Sequence, residues 1–150
     1  MAQSLRWSFR PLMKPRPHLP APRHILAVFA GGMAGAAARY GILVGYPNTP
    51  GEFPRTTFME NIAGAFVLGL LLTLVLRGWR WRFEPRPLLA TGMLGAFTTF
   101  STFAVEIADL IDDGYLGISI AYAVASLVVG LLAALLGIRL GQMAPRRVAV

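Results

Sequence analysis

Residues 92–106 read GMLGAFTTFSTFAVE. With Thr91 just before it, the stretch gathers two glycines, five hydroxyl side chains (Thr91, Thr98, Thr99, Ser101, Thr102), three phenylalanines and the carboxylate of Glu106 into about four helical turns. The sequence around it is apolar. Polar groups and irregular backbone at membrane depth are tolerated only where protein buries them or where they line a water-filled path. A segment that only crossed lipid would not carry them, so the stretch is a candidate site as well as a candidate span. Gly92 and Gly95 weaken a helix, and the hydroxyls compete for its main-chain hydrogen bonds, so a break is expected near residues 95–99. A broken helix releases carbonyls that can coordinate a cation and amides that can face an anion.

If the segment is helical, Phe97, Phe100 and Phe103 share one face. Two readings stay open. One is a stripe packed against a neighbouring helix. The other uses the positive ring edges as a weak, dry attraction for a small anion, with Ser101 and Thr102 as hydroxyl donors beside them.

The whole composition supports a membrane setting. The chain has 150 residues, of which 55% are hydrophobic and only 14% charged, and its mean hydropathy is +0.58. That is too apolar for a soluble domain of this size. It has no cysteine, which excludes disulfides and thiolate metal sites, and its only imidazoles are His18 and His24. The net charge of +7 lies outside the apolar runs. That placement points to anionic lipid headgroups and not to nucleic acid.

Four spans account for most of the chain, at about 24–45, 57–76, 88–110 and 115–140, each near the ~20 residues that cross ~30 Å of hydrocarbon. Residues 1–23 are basic and proline-rich and are expected to be a disordered tail, with Trp7 and Phe9 available to a membrane surface. Residues 142–150 form a basic C-terminal tail. The first span repeats small residues four apart, at Gly31, Gly35 and at Gly32, Ala36, which lets helices approach closely. No strand precedes these glycines and no Walker lysine follows, so a phosphate loop is not indicated. Arg39 is either a snorkelling arginine or part of a polar cavity. Thr57 and Glu60, three apart, fit a capping box for the second span. Asn61, in apolar sequence, needs a partner on another helix or a passing ion.

GAFTTFSTFAVE at 95–106, GGMAGAAARY at 31–40 and ENIAGAFVLGLL, which begins at Glu60, together resemble the small bacterial fluoride channel family called Fluc or CrcB. The resemblance covers roughly residues 25–140, and TTFSTF is its specific part. It implies an all-α protein of four transmembrane helices with the third broken, assembled as an antiparallel dimer with two fluoride pores. It implies that Phe100 and Phe103 contact fluoride and that Asn61 lines the path. Ser101, Thr102, Tyr122 and Ser126 would belong to a polar track with Glu106 beside it, and Arg39 would lie at a vestibule. It also implies a structural sodium ion held by backbone carbonyls of Gly95 and Thr98 from both subunits.

This chain departs from the family's pattern in two places. Glu60 stands where an aliphatic residue is usual, and the polar row of Tyr122 and Ser126 continues as Gly130 and Ala134. A thinner row leaves a second reading, a non-conducting or partner-completing subunit of a heteromeric channel. A small dual-topology cation or drug transporter is a further alternative, although the first span lacks the carboxylate such proteins depend on. Nothing indicates an enzyme, since no nucleophile has a base partner nearby in sequence.

Charge placement sets the expected orientation. Of the 14 basic residues, 12 fall on the side of the two tails and the Arg77–Arg86 loop, opposed by Arg39 and Arg55. The positive-inside rule then places both termini in the cytoplasm of a bacterial plasma membrane. A chain inserting both ways would have balanced loops. The expectation is therefore one fixed orientation and a homologous partner of opposite bias, with the antiparallel homodimer as the alternative.

Overall fold

The structure is a computed structural model, and it describes residues 20–78 and 86–145. Helix α1 is Pro22–Gly45 and α2 is Arg55–Leu76. The third span is composite. A π-wound segment, Arg86–Leu94, leads into the single turn α3, Gly95–Phe97; Thr98 and Thr99 are extended; α4 then runs Phe100–Asp112. After Gly114, which holds φ +85, the last helix is α5, Leu116–Met143. The fold is all-helical, with four helical stretches long and apolar enough to cross a membrane.

The helices pair in two layers. Helix α1 lies on the π-wound segment and α2 lies along α5, which α4 also contacts, whereas α1 and α2 barely touch. In lipid, helices associate through close packing and not through water exclusion, and small residues set how near the backbones come. A Cβ on Gly31 or Gly35 would collide with the carbonyls of Leu88 and Met93, and one on Gly137 would collide with the carbonyl of Phe66. The glycine spacing of the first span thus serves the third span.

Helix α1 opens at Pro22, whose missing amide is one that a first helical turn leaves unbonded anyway. Two expectations change here. The capping box does not form. Helix α2 begins at Arg55, and the Thr56 amide is capped by Asn48 Oδ1 at 2.9 Å, which frees Thr57 and Glu60 for other contacts. The three phenylalanines do not form one stripe, because the break falls between Phe97 and Phe100. Trp7, Phe9, Arg80, Arg82, Arg146 and Arg147 lie outside the described residues.

Candidate functional site

The break is held from α2. Asn61 Nδ2 donates to the Thr99 carbonyl at 3.0 Å, and Asn61 Oδ1 accepts the Thr99 amide at 2.8 Å. One side-chain amide thereby satisfies both backbone groups of an extended residue that would be costly to bury unpaired. Thr99 also caps α4: its hydroxyl accepts the Thr102 amide at 3.1 Å, donates to Thr102 Oγ1 at 2.9 Å and lies 3.2 Å from Ser101 Oγ. In a continuous helix the Thr99 and Thr102 amides would reach the carbonyls of Gly95 and Thr98. Asn61 and the Thr99 hydroxyl take those amides instead, so the two carbonyls lose their helical donors.

Asn61, Thr98, Thr99, Phe100, Phe103, Ala123, Ser126 and Leu127 line an open groove of ≈ 520 Å³. Its wall is aromatic, with the Phe100 and Phe103 ring centres 5.9 Å apart. Phe100 is 81% exposed. The Ser126 hydroxyl oxygen is buried with no partner among the described residues. Ser101 and Thr102 stand just outside the groove, tied into the Thr99 cap.

Phe103 continues the line inward. Its ring centre lies 5.0 Å from that of Tyr122, which is wholly buried. The Tyr122 hydroxyl donates to Glu106 Oε2 at 2.7 Å. Glu106 Oε1 accepts from Thr57 Oγ1 at 2.6 Å and from Asn48 Nδ2 at 2.7 Å. Three donors from the α1–α2 loop, α2 and α5 thus converge on one carboxyl of α4. Bonds of this kind are roughly twice as strong as neutral ones when the acceptor is ionised. Asn48, Thr57 and Thr99 were not singled out as site residues in the sequence. A clue to Asn48 was an asparagine in a proline-rich loop just before a helix, where side-chain caps concentrate.

Arg39 does not snorkel. It is half-buried and donates from Nε to the Ala96 carbonyl at 3.1 Å, two residues ahead of the break. Glu60 is buried, and its Oε1 has no partner among the described residues. It does not enter the phenylalanine groove. Glu60 lines a second crevice of ≈ 580 Å³ between α1 and α2, with Ile42, Glu52, Arg55 and Phe97 also in its wall. Phe97 therefore lines this crevice and not the groove of the other two phenylalanines.

Residues 26–138 match the family described as CrcB-like protein, Camphor Resistance (CrcB), and the chain belongs to that family. Relatives extend the likeness to individual proteins. It is 42% identical over 123 residues to fluoride-specific ion channel FluC 3 of Streptomyces avermitilis, a match spanning 82% of this chain and 60% of that one. It is 40% identical over 125 residues to FluC 2 of Nocardia farcinica, covering 83% and 86% of the two chains. FluC 1 of Mycobacterium bovis is 40% identical over 128 residues, covering 85% and 94%.

Proposed function

We infer that this chain is a fluoride-specific ion channel and not an enzyme, and that fluoride moves past Phe100 and Phe103 toward Tyr122 and Glu106. The observation that supports the route is a chain of contacts: Asn61, Phe100, Phe103 and Ser126 line the open groove, Phe103 packs on Tyr122, and the hydroxyls of Tyr122 and Thr57 meet on Glu106. Fluoride is small and tightly hydrated, so a dry path must offer ring edges and hydroxyl donors in place of water. Ser101 and Thr102 supply further hydroxyls, and Arg39 draws anions to the vestibule. No metabolic coupling is needed, since a negative-inside potential drives an anion outward with about 2.3 kcal/mol per charge per 100 mV.

A single chain leaves Phe100 exposed, so the conducting unit is a dimer in a bacterial plasma membrane, with both termini cytoplasmic. Gly95 and Thr98 fit a structural sodium ion at its axis, because carbonyls without helical donors suit a hard cation. Among the described residues Gly95 also has no packing duty: a Cβ there would find only the Ala90 carbonyl, at 3.8 Å. Gly95→Val is therefore expected to leave the four helices intact and to weaken the dimer, read as a shift to monomer in detergent. A stable, conducting Gly95→Val dimer would remove the shared-sodium reading.

Gly130 and Ala134 favour a second reading, in which an oppositely oriented homologue completes the thin polar row. Fluoride efflux from liposomes holding the chain alone decides between them. Rapid efflux supports the homodimer. Efflux that appears only on co-reconstitution with a homologue of opposite charge bias supports the heteromer, and none in either case overturns the channel route.

A further inference from the structure

The loop of residues 46–54 is fastened over the inner end of the path. The Phe53 ring meets that of Tyr122 edge-on, with centres 5.2 Å apart. Gly51, at φ +78, lies so close to Tyr115 that a Cβ would collide with its ring. Asn48 makes the polar connection, and the two atoms at its tip do different things. Oδ1 accepts the Thr56 amide at 2.9 Å, at the start of α2. Nδ2 donates to Glu106 Oε1 at 2.7 Å and to Thr57 Oγ1 at 3.0 Å. A capping oxygen is supplied equally well by aspartate or serine. Neither supplies the amide nitrogen, so capping alone does not account for an asparagine here.

In a path for an anion the place of a carboxylate matters, since like charges repel. Glu106 divides its oxygens: Oε2 takes the Tyr122 hydroxyl, and Oε1 takes Asn48 and Thr57. An anion coming from Phe103 finds the Tyr122 proton already committed to Oε2, and gains it only if the carboxyl lets go. What then holds the carboxyl is the pair of donors on Oε1. On the far side, Asn48 and Glu106 share the wall of a ≈ 300 Å³ pocket whose other charged lining groups are Glu52, Asp109, Asp112 and Asp113. Ionised carboxylates have no proton to donate, so these groups offer Glu106 no replacement for Asn48. We propose that Asn48 is a positioning residue for permeation: its amide nitrogen anchors Glu106 on the loop side, so that the Tyr122 hydroxyl can turn from the carboxyl to fluoride.

The inference rests on the channel reading and on the Tyr122 end of its route. The test is fluoride efflux from liposomes holding the conducting assembly, with thermal midpoints measured in detergent. Asn48→Asp keeps the capping oxygen and puts a second oxygen where the donor was. It is expected to slow efflux by roughly tenfold or more, the weight of one donor to a charged group. Asn48→Ala loses the donor without adding a charge and should slow efflux by about threefold or more; counted per assembled channel, it carries the test if Asn48→Asp fails to assemble. A Glu106→Gln background separates positioning from direct repulsion of fluoride, because the amide at 106 can donate to the new carboxylate. Asn48→Asp should cost no efflux there, and the same coupling should appear in the thermal midpoints of the four chains, which read the pair where efflux is too slow to compare. Native efflux from Asn48→Asp would leave Asn48 a helix cap and overturn the proposal. So would native efflux per assembled channel from Asn48→Ala, or an equal loss from Asn48→Asp in both backgrounds. No efflux from the native chain in any assembly would instead overturn the channel reading, and this inference with it.

Discussion

The two ends of the proposed path are built on different terms. At the inner end, Tyr122 is wholly buried and Glu106 meets donors from three elements of the same chain. At the open end, Phe100 is 81% exposed, the Ser126 hydroxyl has no partner among the described residues, and the Gly95 and Thr98 carbonyls have lost their helical donors. Polar groups left that way at membrane depth are costly. The difference is what the proposed dimer requires, in which a single chain would contribute half a site. The inner end is self-sufficient and gives the fold its polar anchor, and the open end is shaped for what lies beyond the chain.

The sharpest way to break that comparison is to remove an aromatic ring from each side of it. Phe100→Ile and Phe103→Ile keep much of the bulk and lose the ring edge. Each is expected to cut fluoride flux by roughly two- to tenfold, since a ring-edge contact is worth ~0.5–1.5 kcal/mol and ~1.4 kcal/mol is a factor of ten. Their stabilities should differ. Phe103 packs on Tyr122 at 5.0 Å, so its replacement is expected to lower the thermal midpoint in detergent, whereas the exposed Phe100 should not. Native flux in both variants would return the rings to a packing role.

The inner end has a complementary test. Tyr122→Phe deletes one hydroxyl, which donates to Glu106 at 2.7 Å. A hydrogen bond to a charged group contributes about 1.5–3 kcal/mol, so thermal stability should fall by that order. Flux should fall less than in the Phe100 variant, because Thr57 and Asn48 still hold Glu106 in place. If Tyr122→Phe is as stable as the native chain, the inner end is not the anchor described above.

The sequence made much of this legible, for reasons that differ by residue. Long apolar runs separated by charged loops leave little choice in lipid, so the four spans appeared within a few residues of their limits. The break at Thr98 and Thr99 was foreshadowed by a glycine followed by hydroxyls. Its fastening was not, because the Asn61 clamp on Thr99 joins residues 38 apart and only the third dimension brings them together. The π-wound approach from Arg86 to Leu94 left no signal in composition. The capping box failed for a similar reason: Thr57 and Glu60 had the right spacing, but Asn48 reached the helix start first and Thr57 turned to Glu106. Local patterns predicted local structure well and misassigned residues whose partners are distant.

The smallest expected effect concerns the thin stretch of the polar row. On α5, Tyr122 and Ser126 are followed at the same spacing by Gly130 and Ala134. The space at Gly130 is open enough for a side chain, since a Cβ there would meet only Ile62 Cδ1, at the ordinary contact distance of 3.6 Å. Gly130→Ser therefore costs no clash, and it replaces a glycine, about 1 kcal/mol worse than alanine in a helix, with a serine that is only partly so. Stability should hold or rise slightly. If the row on this chain limits permeation, the added hydroxyl supplies the next donor beyond Ser126, and efflux from liposomes containing the chain alone should rise about two- to threefold, the size of a few tenths of a kcal/mol. If a partner of opposite orientation already furnishes that donor, the same substitution should leave the co-reconstituted channel as it was. An unchanged rate in both preparations would mean that permeation ends its dependence on α5 at Ser126, and the open end of the groove would then be completed by residues of the other helices alone.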